Sequence, residues 1–144
     1  LVYECLDRGP SKHINKIRVR VVALDHGRRT MAERSFRLNP NPTGMAPSEF
    51  MGRNSFTTSD KTETNRFAYS ADDESLLSGV WECAPAREEY PDGYPVHEMM
   101  HVISGSVTLT HPDGTAEKLT YGDTFFIPKG SPCTWENTET MRKF

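Results

Sequence analysis

Hydrophobic and polar positions are organised most regularly in the second half of the chain. From Leu76 onward, short runs of β-branched and aromatic residues recur, separated by Gly, Pro and Asp. Leu76–Cys83 predicts one strand, and Ala84–Val96, with Pro85, Pro91, Gly93 and Pro95, a connection. Strands are then expected over His97–Ile103, Ser106–Thr110, Ala116–Thr120, Thr124–Ile127, Cys133–Glu136 and Thr140–Phe144. Ser104-Gly105, Pro112-Asp113-Gly114 and Gly122-Asp123 mark turns between them. Asp-Gly supplies the positive φ that tight hairpins need. Short strands with turn signals every 8–12 residues or so predict an antiparallel sandwich or barrel.

The first half is less regular. Ile17–Leu24, IRVRVVAL, alternates and predicts a strand outside the barrel proper. Thr30–Leu38 has the weak apolar face of a short helix, and Asn39–Pro47 predicts a loop because each Pro removes a backbone donor. Ser48–Ser75 is polar with isolated aromatics and predicts an arm over the barrel or a loop. The organisation expected is an arm over 1–75 and a barrel core over 76–144.

Composition narrows the function classes. The chain has 144 residues, enough for one core, and is 35% hydrophobic. No apolar run approaches the roughly 20 residues that span a bilayer, so no membrane partner is expected. A net charge of −3 argues against nucleic-acid binding. The nine Lys and Arg among residues 1–38, against four acids there, pair more simply with the acidic remainder of the same chain. Three widely spaced cysteines, Cys5, Cys83 and Cys133, form no disulfide framework. With LVYECLDRGP lacking the pattern of a signal peptide, a reducing, cytoplasmic location is expected.

Two motifs then identify the barrel. Glu98-MMHVIS-Gly105 has the form E-x6-G. Gly122-Asp123-TFF-Ile127-Pro128-Lys129-Gly130 has the form G-D-x3-I-P-x-G. Together with Trp135-Glu136 and the Gly79–Cys83 strand, they resemble the cupin superfamily. The similarity is to the small single-domain cupins grouped with the ureidoglycine aminohydrolase and ethanolamine-utilisation cupins, and it covers residues 79–144. It implies an all-β fold, a single jelly-roll β-barrel with an N-terminal arm, often paired as a homodimer.

The resemblance also implies a metal site of three His and one Glu, suited to a divalent transition metal. Glu98 matches the Glu. Pro91 and Gly93 stand where an H-x-H pair belongs, and Cys133 where the third His belongs. No cofactor is therefore expected. The alternative ligand set, His97, Glu98 and His101, conflicts with strand geometry, because side chains alternate and both His fall on the face opposite Glu98. The histidines are expected on the surface, between sheets, at a pocket rim or at a subunit interface.

The inward face suggests a pocket of Glu98, Met100, Cys133 and Trp135, with Trp81 and Tyr94. Among Met and Trp, burial would raise the Glu98 carboxyl pKa and suit it to acid/base catalysis. A structural Glu bonded to a hydroxyl or indole is the alternative. Cys133 lacks an adjacent base and is expected to be an inert thiol. Glu88-Glu89 is expected to be solvated. The function the resemblance implies for this pocket is binding of a small polar metabolite, with hydrolase- or isomerase-type chemistry at Glu98. A non-catalytic binding or sensor cupin without metal is the alternative.

Overall fold

The structure, a computed structural model, describes residues 2–4, 35–48, 63–73 and 75–144. Eleven strands lie among the described residues: β1 (Val2–Glu4), β2 (Ala46–Pro47), β3 (Thr64–Ser70), β4 (Leu77–Cys83), β5 (Ala86–Tyr90), β6 (His97–Ser104), β7 (Ser106–Thr110), β8 (Ala116–Thr120), β9 (Thr124–Ile127), β10 (Cys133–Asn137) and β11 (Met141–Lys143). One sheet runs β1-β6-β11-β4-β3-β2, with β9 also on β6; the other runs β5-β10-β7-β8. All pairings are antiparallel. The two sheets face each other across one core, as in a jelly roll. The all-β jelly-roll fold inferred from the motifs is the fold observed.

The strand predictions from residue 76 onward agree with the structure to within a residue or two, with one omission. β5 lies inside the segment expected to be a connection. Pro85 precedes this strand and Pro91 follows it, so they bound it rather than break it. Within it Ala86, Glu88 and Tyr90 are buried, while Glu89 faces solvent.

The first half differs more. The strand expected over 17–24 and most of the helix expected over 30–38 lie outside the described residues. The described part of that helix, 35–38, is not helical, and Phe36 there is 52% exposed. Ala46–Pro47, expected as loop, pairs with Asn65 and Thr64 as an edge strand, where a missing N–H is tolerated. Thr64–Ser70, expected as arm or loop, is a strand along β4. Its burial is too shallow to leave a clear alternating pattern, which is why polarity masked it. Thus β2 and β3 extend the sheet that β4 shares with the rest of the barrel.

The core is centred on Trp81 from one sheet and Trp135 from the other, whose rings meet edge to face at 5.8 Å. Asn137, buried at the end of β10, accepts the Trp135 indole N–H at 3.3 Å. Its amide donates to the carbonyls of Ala84 and Glu139, both at 2.9 Å. One side chain thus satisfies backbone at two chain corners that no ladder reaches. On the outer face, Arg142 donates to Glu82 at 2.8 Å and to Asn41 Oδ1 at 2.6 Å, tying the 40–41 segment to β11.

Gly105 joins β6 to β7 with φ of 74°. A Cβ there would lie 2.4 Å from the Thr140 carbonyl oxygen, just ahead of β11. The turn therefore needs glycine both for its backbone and for the close approach. Gly105→Ala should destabilise the domain by at least about 1–2 kcal/mol from the left-handed backbone alone. The check is a lowered urea midpoint at unchanged denaturant dependence.

Candidate functional site

β6 displays the alternation that its sequence predicts. Glu98, Met100 and Val102 are buried, whereas His97 and Met99 are exposed and His101 is half-buried. His97 Nδ1 accepts the Lys129 backbone N–H at 3.2 Å, and its ring stacks on Phe126 at 6.0 Å. His101 Nδ1 is 2.9 Å from Thr124 Oγ1. Both histidines are held on the outer face by the neighbouring β9 segment, so His97, Glu98 and His101 do not converge.

Glu98 is 0% exposed and does not stand alone among apolar groups. Lys143 enters from β11, where Met141 and Lys143 are buried and Arg142 turns outward. Its Nζ lies 2.8 Å from Glu98 Oε1 and 3.0 Å from Met100 Sδ. The same ammonium sits over the rings of Trp81, at 4.7 Å, and Trp135, at 4.6 Å. Two indole faces attract the charge that the carboxylate balances. Tyr94 donates its hydroxyl to the other Glu98 oxygen. This is the hydroxyl-bonded Glu that the sequence left as an alternative, with an ion pair added. An isolated carboxyl in an apolar pocket, the setting inferred from Met and Trp, is not what surrounds Glu98.

Tyr94 is positioned by the segment after β9. Its N–H donates to the Ser131 carbonyl at 2.8 Å, and its carbonyl accepts from Gly130 N–H at 2.7 Å. Gly93 passes so close that a Cβ would lie 2.6 Å from the Gly130 carbonyl carbon. The second motif thus aims a side chain at the Glu of the first.

A second carboxyl lies in the same interior. Glu88, expected in solvent, is 2% exposed on β5, opposite Trp135 of β10. It accepts the hydroxyl of Tyr90, whose ring packs edge-on against Tyr94 at 4.9 Å. Burial pushes Glu88 up to about 7; the Tyr90 bond opposes this, the Glu63 and Glu98 carboxylates add to it, and Lys143 counters it. Burial, and then the charge of Glu88, raises the Tyr90 hydroxyl. The Cys133 thiol is likewise raised by burial and then by Glu88, which keeps it protonated and unreactive near neutral pH. Glu63 completes the group, 4% exposed and accepting the Trp81 indole N–H at 2.9 Å.

The residues named from sequence therefore fall in two places. Glu98, Met100, Trp81, Trp135 and Tyr94 surround the Lys143 ammonium or its carboxylate. Cys133 lines a cleft of about 270 Å³ between the sheets, walled by Leu109, Leu119, Phe125 and Ile127, with His111 and Glu117 at the rim. Glu88 was named only as a solvated residue, which its burial corrects, and Lys143 was not named. Alternation carries the signal for both: Ala86-x-Glu88-x-Tyr90 and Met141-x-Lys143 each place a charge on a buried face.

A metal fits these residues poorly. Of the four positions that would hold one, Pro91 and Gly93 offer no side-chain donor. Glu98 is already engaged by a cation and a phenol. Among the described residues, no three His, Cys, Asp or Glu side chains are grouped to hold an ion.

The raised Glu88 value carries a stability consequence. In the folded protein Glu88 keeps a proton that the unfolded chain, with an ordinary value of 4.5, releases. Stability is therefore favoured at low pH and lost as pH rises from about 4.5 through about 7, by on the order of 3 kcal/mol. Glu88→Gln should flatten that component, as read from urea midpoints measured across pH 4–8 or so.

Comparison with known proteins agrees with this architecture. A family model described as the EutQ-like cupin domain matches residues 70–144. No curated protein matches the chain. A DUF861-family protein of unknown function from Pseudomonas syringae pv. tomato is 27% identical, with a TM-score of 0.61 over 74% of this chain and 45% of that one. A putative ethanolamine utilization protein EutQ from Salmonella typhimurium is 22% identical, with a TM-score of 0.48 over 56% of this chain and 64% of that one. The polyketide cyclase RemF from Streptomyces resistomycificus, 18% identical with a TM-score of 0.51 and 76% coverage of both chains, shares the fold. This chain spans less than half of the Pseudomonas protein and just under two thirds of the Salmonella one. On the match over residues 70–144, together with the two motifs and the two-sheet barrel, the chain belongs to the EutQ-like cupin domain family.

Proposed function

We propose that this cupin domain binds a small polar metabolite in its barrel and exchanges a proton with it through Glu98. The observation that carries this reading is the fully buried Glu98, set between the Lys143 ammonium and the Tyr94 hydroxyl. A carboxylate so placed takes a proton from a bound ligand, while the ammonium and phenol stabilise negative charge that develops nearby. Hydrolysis, isomerisation and deamination all need such a transfer. Glu98 acts as the acid/base group, Lys143 as the resident positive charge, and Tyr94 as the donor that orients the carboxylate. Trp81, Trp135 and Met100 hold the ammonium.

A non-catalytic binding or sensor barrel is the second reading. It is favoured by the fact that both Glu98 oxygens already have partners within the chain.

Mass spectrometry of small molecules that co-purify with the protein supplies the ligand. With it in hand, Glu98→Gln should lower turnover by about 100-fold or more, with little change in binding. Unchanged turnover removes the acid/base role, and absence of turnover in the native protein favours the sensor. The ion pair has its own expected signature. Lys143→Met leaves Glu98 buried without its counter-charge and should cost about 3–5 kcal/mol. The Glu98→Gln, Lys143→Met double variant should recover most of that loss, as read from denaturant unfolding of all four proteins.

A further inference from the structure

The cleft and the chamber around Glu98 are neighbours, but they are not one space. The cleft of about 270 Å³ is lined by residues of β7, β8, β9 and β10 and of the turn after β9; neither Glu98 nor Lys143 is among its walls. Glu98 is 0% exposed and Lys143 3% exposed. A ligand seated in the cleft therefore meets a wall before it meets the carboxylate.

Strand register identifies that wall. Phe125 and Ile127 of β9 line the cleft, and across the ladder they pair with Met100 and Glu98 of β6. Met100 and Glu98 are the groups that hold Lys143 Nζ, at 3.0 Å and 2.8 Å. On β10, Cys133 lines the cleft, and Trp135, two residues on, lies against the ammonium at 4.6 Å. Phe125, Ile127 and Trp135 thus stand between the two spaces, but they are not equally fixed. Ile127 is 5% exposed and β-branched, with few rotamers open to it. Trp135 is 2% exposed, packed on Trp81 and tied to Asn137 through its indole N–H. Phe125 is half-buried. Its ring has the cleft on one side and Trp135 on the other, at 6.2 Å and tilted by 37°. A phenyl ring has no polar anchor, and the cleft gives this one volume to turn into.

We propose that Phe125 is the specificity-determining residue of this barrel: its ring closes the Glu98–Lys143 chamber to the cleft, and the width it leaves when displaced sets what reaches Glu98. The inference rests on the reading of Glu98 as the group that a bound ligand meets. The molecule admitted is narrow, with a polar end for the chamber and an apolar stem that lies against Leu109, Leu119 and Ile127. Burial of that stem replaces the contacts that the ring gives up on turning. The movement breaks no hydrogen bond and leaves the ion pair between Lys143 and Glu98 in place. A broad molecule gains the same apolar contact in the cleft but stops there, short of the carboxylate.

The chain supplies its own reporter. It has two tryptophans, Trp81 and Trp135, and both flank Lys143. Quenching of their emission by neutral solutes therefore reads access to the chamber. Acrylamide is the narrow probe and succinimide the broad one, each titrated into the full chain and scaled to its quenching of free tryptophan amide. The native protein should discriminate, with acrylamide quenching several-fold faster than succinimide. Phe125→Ala should raise succinimide quenching several-fold and bring the two probes close together. Phe125→Leu, which keeps part of the bulk, should fall between, and it carries the same comparison if the alanine variant does not fold. Val107→Ala truncates the same core at a residue outside the cleft lining and should keep the native discrimination. Adding Cys133→Phe to Phe125→Ala fills the cleft and should restore slow quenching. Near-UV circular dichroism checks that each variant is folded. Native-like discrimination in the Phe125 variants overturns the proposal, as does an equal loss of discrimination in Val107→Ala. Fast quenching that Cys133→Phe does not reduce overturns it too, because the route is then not the cleft. None of these outcomes bears on the acid/base reading, which is decided by turnover of Glu98→Gln.

Discussion

The ion pair between Lys143 and Glu98 sets what the rest of the interior has to be. Taking two charges out of water costs several kcal/mol each unless their partners are close and well aimed. Here each charge is surrounded. The ammonium has a carboxylate, a thioether and two indole faces; the carboxylate has the ammonium and a phenol. These groups come from β4, β6, β10, β11 and the segment before β6, so both sheets contribute. The pair thereby ties sheet-to-sheet packing to the site. The Trp81–Trp135 contact that centres the core is also the aromatic floor under the charge.

The interior holds two carboxyl–tyrosine pairs with opposite character. Glu98 with Tyr94 has a cation against it; Glu88 with Tyr90 has none in hydrogen-bond contact, and burial dominates its behaviour. The two tyrosine rings touch, so the pairs are neighbours in one chamber. A single lysine stands beside one carboxyl rather than the other, so one is held by an ion pair and the other by a phenol in a desolvated setting.

Much of the barrel is legible in the sequence because its strands are short, alternate cleanly and end at Gly, Pro or Asp. β6 to β10 follow from that punctuation; period two places Glu98 on the face opposite His97 and His101, and the cupin motif makes that face the inward one. Two of the parts not legible share one cause: a charged residue in a sequence points to solvent. Glu88 in β5 and Lys143 in β11 are charged residues on buried faces, and each looks like surface until its partner across the barrel is known. Those partners, Tyr90 for one and Glu98 with two indoles for the other, are brought close by long-range strand pairing that local pattern does not report. β3 was hidden differently, since a strand on the flank of a sheet buries too little to need an apolar face.

The crossing of Gly93 over Gly130 has a consequence for how such a domain changes over generations. At this crossing neither chain can move independently of the other. A side chain at position 93 would push the segment 128–131 outward, and the paired backbone bonds would drag Tyr94 with it, away from Glu98. Selection on the rim of the barrel is therefore not free of selection on its floor. The Gly-Gly crossing should drift last, because a mutation there displaces rim and floor in one step.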